Sequence, residues 1–161
     1  MDYIEALQQA KIESSWAAIG AFDGVHSGHR TLFRKLVDGA RQDECKTVAI
    51  TFDPLPALFF ERIKTGQVLT TLAERVSLIK SLGVDEVIVL NFDRTLADIE
   101  AFPFMQHVHS AIGLKKLLSG FNSRIGKDQA GSVSRLKEIG KQLGFSVEVV
   151  PPVRNGQEII S

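Results

Sequence analysis

The chain has 161 residues, 44% of them hydrophobic and 24% charged, with 19 Lys+Arg balanced by 19 Asp+Glu. That length predicts one domain with a core large enough to stand without disulfides, and the zero formal charge argues against a general nucleic-acid binder. The single cysteine, Cys45, excludes an internal disulfide framework and a cysteine-only metal site.

No apolar run reaches the ~18 residues of a membrane span. The opening Met1-Asp2-Tyr3-Ile4-Glu5-Ala6 lacks the basic start and apolar core of a secretory signal. A cytoplasmic protein with no membrane partner is the expectation.

Short apolar runs alternate with amphipathic stretches. Residues 16–20 (Trp-Ala-Ala-Ile-Gly) read as a buried strand leading into a glycine-rich turn. Leu32, Phe33, Leu36 and Val37 have helical spacing. A second strand, 47–52, is rich in β-branched and aromatic residues and stops before Pro54 and Pro56. Residues 53–70 read as irregular. A helix over 72–82 has apolar positions at 72, 76, 79 and 82, with Gly83 as its cap. A third strand spans 84–90, and 93–112 is helical with a break at Pro103. A fourth strand, 114–119, is weakened by Lys115-Lys116. A helix over 133–143 ends at Gly144, and a fifth strand, 145–150, stops at Pro151-Pro152.

Strands separated by helices imply right-handed crossovers and a parallel sheet, an α/β fold of five strands flanked by helices. In such sheets ligands bind beyond the carboxyl ends of the strands. The polar motifs fall there, at 22–29, 51–56 and 120–127.

The first motif is Gly20-Ala21-Phe22-Asp23-Gly24-Val25-His26-Ser27-Gly28-His29. Its glycines permit a tight strand-to-helix turn, and the free N–H groups of the following helix favour phosphate. His26 and His29 are three apart. With the helix starting near Ser27 or Gly28, both imidazoles face one anion, where they would stabilise charge on a pentacoordinate phosphorus. The segment is neither a P-loop nor the dinucleotide fingerprint.

Other residues read as bland. His107 and His109, two apart on a helix, point in different directions and make a poor metal pair. Trp16, Phe102 and Phe104 read as packing residues, Cys45 as a passive thiol, and Asp93, Asp98 and Glu100 as a solvated helix face.

The run Phe22-Asp23-Gly24-Val25-His26-Ser27-Gly28-His29 resembles the signature of the HxGH nucleotidyltransferases. In its Gly24 form it is similar to the FMN adenylyltransferase (FAD synthetase) module of bacterial bifunctional riboflavin kinase/FAD synthetases. Thr51-Phe52-Asp53-Pro54-Leu55-Pro56, Leu69-Thr70-Thr71 through Arg75, Gly120-Phe121-Asn122-Ser123-Arg124-Ile125-Gly126-Lys127 and Val150-Pro151-Pro152-Val153 resemble further segments of that family, in order.

The resemblance implies a Rossmann-like nucleotidyltransferase fold and transfer of AMP from ATP to FMN, giving FAD and pyrophosphate, with Mg²⁺ accompanying ATP. His26 and His29 would act on the ATP phosphates. Gly20, Ala21, Phe22, Asp23, Gly24 and Gly28 would shape the nucleotide cradle, and Thr51, Asp53, Pro54 and Asn122 would line the flavin side. Arg124 and Lys127 would meet phosphate, as would Ser161, the one residue present of the family's Ser-Thr-x-Ile-Arg segment.

Departures are Ala21 for Asn, Leu55 for a flavin-side His, and Ser123 and Ile125 for two aromatics near the isoalloxazine ring. The expectation is one domain over 1–161, short of the family's C-terminal segment and riboflavin kinase domain. The same fold with another acceptor, as in pantetheine-phosphate adenylyltransferases or small cytidylyltransferases, and a nucleotide- or flavin-binding module without turnover are the alternatives.

Overall fold

The computed structural model describes residues 2–25, 27–120, 123–151, 153–155 and 158–160. A short helix α1 (Tyr3–Gln8) precedes β1 (Ser15–Ile19). A 3₁₀ turn (Asp23–Val25) leads into α2 (Ser27–Gln42) and β2 (Lys46–Asp53). Then come α3 (Pro56–Phe59), a 3₁₀ turn (Thr65–Gln67), α4 (Leu72–Ser81) and β3 (Glu86–Asn91). Helices α5 (Arg94–Ala97) and α6 (Ala101–Ile112) precede β4 (Leu114–Gly120). A 3₁₀ turn (Lys127–Gln129), α7 (Val133–Leu143) and β5 (Ser146–Val150) follow, and a small hairpin of β6 (Val153–Asn155) and β7 (Glu158–Ile160) comes last.

The main sheet has five parallel strands in the order β3-β2-β1-β4-β5. Its strands are near-continuous apolar runs because both faces are covered. Ala17, Ile19, Val48, Ile50, Leu114 and Leu117 face α1, α6 and α7. Ala18, Ala49 and Leu118 face the opposite core, with Phe33, Leu36 and Val37 of α2 and Ile79 of α4. The chain moves outward from β1 to β3, then returns to place β4 on the other side of β1. Right-handed crossovers on either side of that reversal put their helices on opposite faces, and the reversal opens a crevice at the carboxyl ends of β1 and β4.

The predicted break at Pro103 is corrected. The interruption lies at 98–100, and Pro103 sits in the first turn of α6, where no intrahelical N–H bond is needed. Helix α2 begins at Ser27, as expected and five residues before the apolar spacing starts at Leu32, and α3 occupies part of the stretch expected to be irregular. Among the described residues no helix is long and apolar enough to cross a membrane.

Candidate active site

The turn after β1 is held from three sides. The Ala21 carbonyl accepts from Thr51 Oγ1 at 3.0 Å and from Arg75 Nη1 at 2.9 Å. Arg75 Nη1 also reaches Thr51 Oγ1 at 3.1 Å. Phe22 takes a left-handed backbone, φ +54°, and its ring is buried in an edge contact with Phe33 at 4.8 Å. The Asp23 carboxylate turns toward the segment before α4. It accepts from Leu69 N at 2.8 Å, Thr70 N at 2.9 Å and Thr70 Oγ1 at 2.7 Å. Gly24 has φ +77°, and a Cβ there would come within 2.9 Å of Leu69 Cδ1, so the position favours glycine twice over.

Gly28 and His29 lie in the first turn of α2, at the positive end of the helix. The His29 ring stands perpendicular to Phe22, 5.3 Å between centroids, which orients the imidazole from the core side.

The charges agree with this architecture. Burial pushes the Asp23 carboxyl up, but the bonds from Leu69 and Thr70 and the nearby Arg75 outweigh it and hold Asp23 below its ordinary value. Burial lowers the Arg75 pKa, opposed by Asp23 and Asp53. Arg75 is only 3% exposed, and its Nε has no partner among the described residues.

Beside the turn a cleft of about 420 Å³ opens from Ile19, Gly20 and Ala21 toward Phe52, Phe60 and Phe92. Phe92 packs edge-on against Phe52, Phe59 and Phe60 at 5.5, 5.3 and 5.8 Å. Arg62 lies 4.8 Å from the Phe60 ring centre, and Arg94 lies 5.2 Å from that of Phe59. Ser123, Arg124 and Ile125 form the facing wall.

Of the residues named from sequence, Gly20, Ala21 and Arg124 line the cleft. Phe22 and Thr51 are buried at 5% and 0% exposure, and they support the turn from behind instead of lining the cleft. Asp53 and Pro54 lie at the end of β2 outside the cleft lining, joined by a cis peptide. Lys127 is exposed, and its N–H donates to Ile99 O at 2.8 Å. His26, Asn122 and Ser161 lie outside the described residues.

Leu55 is buried at 5% exposure and does not line the cleft. Asp93 caps α5 by accepting from Leu96 N at 2.9 Å, and Asp98 pairs with Arg94 at 3.6 Å. His107 bonds Tyr3 while His109 lies against Phe145, so these two imidazoles do point apart.

The sequence reading missed the wall of Phe52, Phe60 and Phe92 and the role of Arg75. A signal for the second existed: Arg75 is three residues after Leu72 and four before Ile79, so it falls on the apolar stripe of its helix.

Comparison with known proteins agrees with the motifs. The model of the FAD synthetase family matches residues 8–161. The chain is 32% identical over 145 residues to a bifunctional riboflavin kinase/FMN adenylyltransferase of Escherichia coli strain K12, covering 89% of this chain and 46% of that protein. It is 33% identical over 159 residues to a putative bifunctional enzyme of the same name from Geobacillus thermodenitrificans, covering 98% of this chain and 84% of the relative. The chain thus spans about half the length of the first of these and most of the second.

A solved Streptococcus pneumoniae chain described as a macrolide-efflux protein superposes with a TM-score of 0.81 at 31% identity, covering 92% of this chain and 50% of that one. Pantothenate synthetase of Thermus thermophilus, at 13% identity and a TM-score of 0.63 over 100% of this chain and 64% of its own, shares the fold. These matches favour the flavin family over the pantetheine-phosphate and cytidylyl alternatives, and with its family model matched almost end to end the chain belongs to the FAD synthetase family.

Proposed function

We propose that this chain is an FMN adenylyltransferase module. The FMN phosphate oxygen attacks the α-phosphorus of ATP, the bond from that phosphorus to the bridging oxygen breaks, and pyrophosphate leaves as FAD forms. A phosphate monoester is largely ionised near neutral pH, so the step calls for no strong base. Positioning and charge stabilisation carry it.

One observation carries the reading: the aromatic cleft opens directly onto Gly20 and Ala21 of the phosphate turn. A flat ring held near Phe60 and Phe92 then directs its phosphate toward the start of α2, where Gly28 and His29 lie. Three-group clusters of His, Cys, Asp or Glu are absent among the described residues. Mg²⁺ enters this proposal on the ATP phosphates, as part of the substrate. A cytoplasmic setting, where ATP is made and thiols stay reduced, fits the free Cys45.

The test is FAD formation from FMN, ATP and Mg²⁺, with His29→Ala in parallel. The expected result is FAD from the parent and a rate about 10²-fold lower in the variant, the loss typical of removing one transition-state donor. Binding of ATP and FMN without FAD would instead identify a binding module.

A further inference from the structure

The turn that would receive phosphate contains a residue in an unfavourable conformation. Phe22 has φ +54°, a region that side chains with a Cβ enter at a cost and that persists only where surrounding contacts over-determine it. Those contacts are identifiable. On one side Ala21 is fixed through its carbonyl by Arg75 and Thr51. On the other, Asp23 clasps Leu69 and Thr70, and Gly24 N donates to Thr70 Oγ1 at 3.3 Å. Both clasps end on one structural unit, the start of α4. Thr71 and Glu74 close a reciprocal capping box there, at 3.0 and 3.1 Å.

Arg75 is 3% exposed, so it cannot grip a substrate as a surface arginine would. Its guanidinium donates, beside the Thr51 hydroxyl, to a carbonyl that would repel the phosphates if it turned toward them. On the reading that this turn binds ATP, we infer that Arg75 is a positioning residue for the adenylyl transfer. It holds the Ala21 carbonyl away from the phosphates and keeps the Phe22 turn in its left-handed form, so that the N–H groups and His29 at the start of α2 meet the reacting phosphorus in register.

The experiment compares Arg75→Met and Arg75→Lys with the parent chain. Ile139→Val, in the core on the opposite face of the sheet, serves as a stability control. Steady-state FAD formation is measured for all four, together with calorimetric affinity for a non-hydrolysable α,β-methylene ATP. Arg75→Met is expected to lower kcat about 10²-fold, the scale of a 1 Å misplacement, while KM for FMN stays within about threefold. The methylene ATP should bind about tenfold more weakly to Arg75→Met. Arg75→Lys, which keeps a cation, should recover roughly a tenth or more of the parent rate. Ile139→Val should match the parent kcat.

A kcat within threefold of the parent in folded Arg75→Met overturns the inference. So does an equal loss in Ile139→Val. If the parent makes no FAD but binds the analogue, the functional reading fails while Arg75 is judged on analogue affinity alone, with unchanged affinity in Arg75→Met counting against it. Failure of the parent to bind the analogue overturns both.

Discussion

Replacing Thr51 separates hydrogen bonding from packing at the centre of the turn. Thr51 is fully buried; its hydroxyl donates to Ala21 O at 3.0 Å and accepts from Arg75 Nη1 at 3.1 Å. Thr51→Val keeps the shape and removes both bonds. A bond from a charged donor contributes about 1.5–3 kcal/mol. The Ala21 carbonyl and Arg75 Nη1 still retain each other at 2.9 Å, so neither is left bare. The expected loss is about 2–3 kcal/mol. Thr51→Ser keeps the hydroxyl and removes one methyl, an expected loss of about 1 kcal/mol. For a chain of this size each kcal/mol shifts Tm by roughly 2–4 °C. The valine variant should therefore melt several degrees below the serine variant, and urea midpoints should follow the same order with unchanged slopes. If shape complementarity governs the site instead, the isosteric valine will be the more stable of the two, and that order refutes the account of the turn given above.

The lowered pKa of Asp23 has a pH consequence. Its stabilisation is complete above the unfolded carboxyl value of about 4 and is lost as pH falls through the lower folded value. Urea unfolding of Asp23→Asn and the parent should therefore differ most near neutrality and converge below about pH 4. Phe60 is 37% exposed and lies at the cleft, so Phe60→Ala should raise KM for FMN about tenfold, the kinetic equivalent of roughly 1.4 kcal/mol of ring contact. KM for ATP should not move. Pro103→Ala, at a helical position where the missing N–H has no role, should leave the unfolding free energy from urea titration unchanged to about 0.5 kcal/mol.

The strands were legible because a parallel sheet covered on both faces writes its strands as unbroken apolar runs, as in Thr47 to Phe52. The start of α2, expected near Ser27 or Gly28, falls at Ser27. Its first turn contains Gly28 and His29, poor helix formers, so the motif and not the apolar spacing marked it. Helix α1 spans only six residues, too few to stand alone despite good helix formers and an Asp2 cap; Tyr3 is held by packing on Phe104 and by a 2.6 Å bond to His107, contacts about a hundred positions away in the chain. The aromatic wall was invisible for the same reason. Phe52 lies on β2, Phe60 just after α3 and Phe92 just after β3, and only the sheet topology brings them together.

The position of Arg75 follows from that topology. Each crossover helix runs back against its strands, so the first turns of α2, α4, α6 and α7 all arrive at the carboxyl edge of the sheet. Their positive ends make that edge hospitable to anions. A side chain on the buried stripe of α4 meets the turn only from the helix's first turn. One turn later, about 6 Å along the axis, the stripe residue is Ile79, wholly buried in the core beside α2. A hydrophobic residue at 75 would avoid the desolvation penalty of a buried guanidinium, and buried charges are often neutral or unfavourable for stability compared with such a replacement. Stability alone therefore gives little reason for an arginine there. Its two acceptors, the Ala21 carbonyl of the turn where the phosphates would sit and the Thr51 hydroxyl of β2 that supports that turn, give a specific one.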